Sequence, residues 1–200
     1  MPIRLRIPFF AQSALRLSAQ LPGTILVKRV GNRIRRVRLV EVEAYVGPKD
    51  LASHSSKGRT VRTEVLFGAA GRAYVYFIYG MHWMFNVVAG RTSHAHAVLV
   101  RAAEPLDGWD ADLTGPGKLT RALRITREHN GIVLTGDDFH FEADPAYRPR
   151  VVRSKRIGVD YAGPWKDKHY RFVDVLNPVA ARLRDVPEAC RKRSPSRHEP

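Results

Sequence analysis

Cysteine is almost missing from these 200 residues, Cys190 being the single one. One thiol builds no disulfide framework and no thiolate metal cluster, and such usage fits a reducing, cytoplasmic setting. Long apolar runs are missing too: no stretch approaches the ~18 residues that a membrane span needs. The opening "MPIRLRIPFFAQSALRL" holds a short apolar patch without the sustained core or cleavage site of a signal peptide. No serine stands in a nucleophile elbow. "GPGK", Gly115 to Lys118, lacks the spacing of a nucleoside-triphosphate loop, which leaves at most a backbone cradle for a nucleic-acid phosphate. His94-x-His96 has the spacing of a strand metal pair, but no third ligand accompanies it, so neither a metal nor any other cofactor is expected.

Acidic residues are scarce as well. The 19 Asp and Glu against 34 Lys and Arg give a formal net charge of +15, and 26 of the 34 are Arg, whose planar fork suits phosphate oxygens. The charge is spread over separate clusters, Arg33 to Arg38, Arg121 to Arg127 and Arg148 to Arg156, rather than held in a tail. That distribution points to a polyanionic partner, nucleic acid before an acidic protein. A neutral sugar gains nothing from it, which counts against a glycoside hydrolase.

What is present fits one α+β domain over residues 1–190, with an antiparallel sheet core, flanking helices and a protruding β-hairpin. The tail "RKRSPSRHEP", 191–200, has the composition of a disordered segment. Apolar spacing predicts a helix over 11–21, a short one from Val61 to Phe67 ending at Gly68, and another over "KLTRALRIT". "TILVKRV" and "RIRRVRLVEVEAYV" around Gly31-Asn32 read as a hairpin. "AYVYFIY", "MFNVVA" and "AVLVRAA" are further strands, and from Gly131 onward strand-like pieces are broken by Gly and Pro.

Two features carry chemistry. Period-2 alternation puts Val37, Leu39, Glu41, Glu43 and Tyr45 on one strand face, with Arg36, Arg38, Val40, Val42 and Ala44 on the other. Two acids so placed are roughly 7 Å apart at Cα. They serve either as salt-bridge partners or as an acid/base pair. Arg101, in an otherwise apolar strand, needs a carboxylate, and Glu41 or Glu43 supplies it. Second, "AYVYFIYGMHWMFN" concentrates Tyr74, Tyr76, Phe77, Tyr79, Trp83 and Phe85. Rings among arginines are what stacks nucleobases. Phe77 and Phe85 read as core, and Tyr79, immediately before Gly80, as an exposed contact at a turn.

"EVEAYVGPKDLASHS", "YVYFIYGMHWMFNVV" and "VLVRAAEP", with "GPGKL" and "RIGV", resemble the alkyladenine (3-methyladenine) DNA glycosylase family, of the mammalian type also found in bacteria. The resemblance runs from about Thr24 to Phe172. It implies a monofunctional DNA-repair hydrolase that flips alkylated purines out of duplex DNA and cleaves the N-glycosidic bond. Glu43, the second acid of E-x-E-A-Y, is then the group that activates a water. Arg101 is its partner, and the backbone carbonyl of Ile157 also holds that water. Tyr45 on one side, and His54 with Tyr76 on the other, sandwich the base. Asn86 disfavours the guanine 2-amino group, and Tyr79 fills the gap left in the duplex. Glu41 takes a supporting place. No lysine falls at a catalytic position of the family, so strand cleavage is not expected. His82, Trp83, Asp160 and Tyr161 depart from the pattern and bear on which lesions are accepted, among them 3-methyladenine, 7-methylguanine, hypoxanthine and ethenoadenine. The partner is duplex DNA containing damaged purines, bound by a monomer; the alternative is a non-catalytic nucleic-acid-binding protein.

Overall fold

Val30 and Arg33 face each other across Gly31-Asn32, and Gly31 takes the left-handed conformation (φ 59°) that lets the chain reverse in two residues. This hairpin joins β2 (Ile25–Val30) to β3 (Arg33–Val46), the 14-residue axis of the molecule. The computed structural model describes residues 2–185. Cys190 and the 191–200 tail lie outside them.

β3 is shared by three neighbours. β2 pairs with its first half, and β9 (Arg171–Asp174) pairs with Glu41 to Glu43 on the second half. Along the other edge runs β6 (His96–Pro105), followed by β5 (His82–Ala89) and β4 (Ala73–Ile78). β7 (Phe139–Ala143) pairs with β2 and with the short β1 (Ile3–Arg4), while β8 (Val151–Ser154) pairs with β9. Every pairing is antiparallel. The α+β expectation holds, and the sheet is open.

One face of the sheet packs on three short helices, α1 (Ile7–Phe10), α2 (Ala14–Gln20) and α3 (Pro116–Ala122). Phe10, Leu17 and Leu119 meet Val42, Phe85 and Val100 in this core. The predicted 11–21 helix therefore starts three residues late. Ser13 caps α2 by accepting the Arg16 N–H, so the backbone at 11–13 is a break between two helices. The Val61–Phe67 helix shrinks to a 3-10 turn at Glu64–Phe67. α3 begins earlier than its apolar spacing suggests, because Pro116 starts a helix readily, and it ends at Ala122, just before Arg124 takes a left-handed φ of 49°.

The strict alternation along β3 fails. The β3–β6 register slips between Leu39 and Glu41 and again between Glu41 and Val42, so Val40 and Arg101 are each an extra residue opposite the other strand. As a result Val37 and Leu39 join Val42 and Ala44 in the helix-covered core, while Val40 packs with Ala102 and Val173 behind the opposite face. Glu41, Glu43 and Tyr45 still share a side, but Val37 and Leu39 are not on it. A bulge changes the phase of a strand, which period-2 counting cannot foresee.

β4 and β5 form the second hairpin. Ile78 pairs with His82, so three residues make the tip; Tyr79 and Gly80 both have positive φ (53° and 66°), and the Met81 N–H closes the turn on the Ile78 carbonyl. Tyr79 is 77% exposed. Phe85 is core as expected, but Phe77 is not: it is 43% exposed and leans on Trp83 at 4.7 Å between ring centroids.

Candidate active site

The face of the sheet away from the helices opens into a cavity of about 330 Å³. Its floor comes from β3, β5 and β6, and its sides from the loop after β3, the β4–β5 hairpin and the segment after β8. Tyr45, His54, Tyr76, Asn86, Arg101 and Ile157 all line it, with Tyr79 at the rim. Every site residue named from the sequence thus belongs to, or contacts, one pocket.

Glu43 is fully buried against its floor, and three donors hold it. The Ile157 N–H donates to Oε1 at 2.8 Å. The Tyr45 hydroxyl donates to Oε2 at 3.0 Å, and Arg101 donates to the same oxygen at 3.3 Å. Burial raises the Glu43 pKa, Arg101 and the Ile157 N–H oppose that rise, and Glu41 reinforces it. The outcome is a carboxylate more basic than usual, restrained on both oxygens and lying directly behind three residues that line the cavity, Tyr45, Arg101 and Ile157. That is the environment of a general base. The contact found at Ile157 is through its N–H, a donor to the acid.

Glu41 sits differently. Its Oε1 takes both Arg101 Nε at 2.9 Å and Arg171 Nε at 2.6 Å. Arg171, 1% exposed, also donates to the backbone carbonyls of Arg184 and Asp185. With two guanidinium groups on one oxygen, Glu41 is a structural counter-ion, and Arg101 bridges the two acids. Burial disfavours the Arg101 charge, but Glu43 and Glu41 more than reverse this and hold it protonated.

The aromatic walls are equally ordered. His54 packs against Tyr76 at 4.4 Å between ring centroids, and its Nδ1 lies 3.0 Å from the Tyr74 hydroxyl. Burial, with Arg62 and Lys57 nearby, lowers the His54 pKa to about 4, so the ring is neutral at pH 7. Arg62 lies 5.4 Å over the Tyr76 ring. The Asn86 amide donates to the Tyr74 carbonyl at 3.2 Å, which fixes its orientation on the pocket floor.

Two residues that the sequence left open also find places. Tyr161 lines the pocket and reaches the Ala52 carbonyl at 3.4 Å, whereas His82 lies outside, against Gly117. Lys118 of "GPGK" donates to Asp112 at 2.7 Å. Nor do the arginine clusters form one outward patch. Arg36 and Arg38 pair with Glu142 and Asp144 at 2.8 and 3.0 Å, and Arg156 is buried on Asp50. Arg171, Asp50 and the Ile157 N–H were not anticipated. No spacing rule announces them, because their partners lie more than 100 residues away in the chain. Among the described residues, no three His, Cys, Asp or Glu side chains gather as a metal site, and no helix is long and apolar enough to cross a membrane.

A buried carboxylate of raised pKa behind an aromatic-lined cavity, on a strongly basic protein, has the chemistry that hydrolysis at a nucleic acid calls for. The family model described as methylpurine-DNA glycosylase (MPG) matches residues 8–178, and the chain belongs to that family of DNA-repair glycosylases. It is 46% identical over 181 residues to a protein of Anaeromyxobacter sp. (strain Fw109-5), covering 90% of this chain and 93% of that one. A Myxococcus xanthus (strain DK1622) protein is 48% identical over 167 residues, 82% and 86% of the two chains. One from Legionella pneumophila (strain Lens) is 43% identical over 178 residues, 88% and 96%. All three bear the name "Putative 3-methyladenine DNA glycosylase".

Proposed function

We propose that this protein excises alkylated purines, 3-methyladenine foremost, from duplex DNA by a Glu43-activated water and leaves an abasic site. The observation that carries the proposal is Glu43 itself: buried, raised in pKa, and held by the Ile157 N–H, Arg101 and the Tyr45 hydroxyl at the base of an aromatic cavity.

The target nucleotide leaves the stack, at roughly a few kcal/mol, and enters between Tyr45 and the His54–Tyr76 pair. Tyr79 at the exposed hairpin tip fills the vacated space and offsets part of that cost. N3-methylated adenine carries positive charge, which electron-rich rings attract more than they attract neutral adenine. A neutral His54 suits such a guest; a protonated one would repel it. Water then attacks C1′. Its oxygen forms the new bond, its proton passes to Glu43, and the C1′–N9 electron pair leaves with the base, which becomes neutral. The carboxylate also stabilises the oxocarbenium-like transition state. No lysine lines the cavity among the described residues, which supports hydrolysis without a Schiff base or strand cleavage.

The test is a duplex carrying a single 3-methyladenine. Incubation followed by alkali gives strand breaks at the lesion with the natural protein and none with Glu43→Gln, which still binds abasic DNA. Breakage without alkali, or excision by Glu43→Gln at near-normal rate, overturns the assignment.

A further inference from the structure

Behind the pocket, Asp50 and Arg156 form a fully buried, two-pronged ion pair: Arg156 Nη1 to Oδ2 at 2.6 Å and Nη2 to Oδ1 at 2.9 Å. Neither residue lines the cavity, and neither takes part in the attack of water on C1′. The pair ties together three segments that each supply a pocket residue. Arg156 donates to the Ala44 carbonyl at 2.9 Å, between Glu43 and Tyr45, and its guanidinium lies 4.8 Å from the centre of the Tyr45 ring. It also donates to the Trp165 carbonyl at 3.2 Å. Asp50 accepts the Val46 N–H at 3.2 Å and the Ala52 N–H at 3.1 Å, which shapes the loop that leads to His54. The next residue after Arg156 is Ile157, whose N–H meets Glu43.

We infer that Asp50 and Arg156 are positioning residues for excision: their ion pair aims the Ile157 N–H at Glu43 and backs the Tyr45 ring, so that the acid and the base-stacking wall keep one geometry. The inference rests on the proposed role of Glu43. A salt bridge kept only for stability would be replaceable by packed apolar side chains of similar volume, often at no loss. Excision is not so tolerant, because misplacement of a reacting group by about 1 Å costs on the order of 10²-fold in rate. The charged and titratable groups around Glu43 are Glu41 and Tyr45 on its own strand, Arg101 on β6, Tyr76 on β4, Arg171 on β9, and Arg156 and Tyr161 beyond β8. Of these, only the Arg156 side couples to Glu43 through a backbone donor as well as through charge. Loss of that donor makes the carboxylate harder to ionise.

The test compares Arg156→Lys, which keeps the charge but not the fork, with the double variant Asp50→Leu/Arg156→Leu, which removes both charges. Each is assayed in single turnover on the lesion duplex at a temperature where circular dichroism reports the native fold. We expect both to excise roughly 10- to 100-fold more slowly per active molecule, with abasic-DNA affinity retained and the acid limb of the rate–pH profile moved to higher pH. The double variant should show that slow rate even where its melting temperature equals the natural protein's. A full rate with only a smaller active fraction, or an unmoved acid limb, in whichever variant folds, overturns the inference. Glu43→Gln runs in parallel: if it stays active, the underlying assignment fails instead, and the two failures are told apart.

Discussion

Replacing Glu43 by Gln should move activity and stability in opposite directions. General-base removal costs about 10²- to 10⁴-fold, or about 3–5 kcal/mol in the barrier. The shape of the side chain is kept: the Gln amide oxygen accepts the Ile157 N–H, its nitrogen donates to the Tyr45 hydroxyl, which turns to accept, and Arg101 gives up its 3.3 Å contact but retains Glu41 at 2.9 Å. Stability follows from linkage. The Glu43 pKa is raised in the folded protein by burial, in spite of Arg101 and the Ile157 N–H. The folded state therefore keeps a proton that the unfolded chain has already released. Stability declines as pH rises from the ordinary value of 4.5 through the raised one, and above that window the whole cost is present. Each unit of displacement corresponds to about 1.4 kcal/mol. Glutamine has no such dependence. Calorimetric melting at pH 7 should thus place Glu43→Gln at or above the natural protein, with the advantage vanishing below pH 4.5, while single-turnover excision slows by about 10²- to 10⁴-fold. A variant that is both active and less stable at pH 7 would refute the electrostatic picture of the site.

Glu41→Ala strands Arg101 and Arg171 without their shared counter-ion, so chemical denaturation should show a loss of about 3–5 kcal/mol. His54 works the opposite way to Glu43. Its lowered pKa leaves it neutral in the fold, so stability it supports is present above pH 6.5 and is lost as pH falls toward about 4. Melting curves of His54→Gln should be flatter than those of the natural protein across that interval, and excision between pH 5 and 8 should carry no His54 titration. Tyr79→Ala removes the exposed hairpin-tip ring. With roughly a few kcal/mol of unstacking no longer offset, excision from duplex should drop well below that from single-stranded DNA carrying the same lesion; equal losses on both would rule out a wedge.

Much of the molecule is legible in its sequence because it is local. Gly31-Asn32 and Tyr79-Gly80 mark two hairpins, since few residues tolerate the backbone those turns require. Alternation finds the strands, and the +15 charge with clustered rings selects a nucleic-acid partner. The E-x-E-A-Y stretch shows that Glu41, Glu43 and Tyr45 share a side, because a strand repeats every two residues. Tertiary structure alone decided which acid meets which donor. Glu41 and Glu43 are indistinguishable by spacing, yet one oxygen of Glu41 takes two guanidinium groups, whereas Glu43 receives a backbone N–H from 114 residues away and stays at the pocket. The β-bulge at Val40, the burial of Arg156 on Asp50 and the exposure of Phe77 are of the same kind. Each depends on a partner brought near by the closing of the whole sheet, and a local repeat holds no record of what lies across the fold.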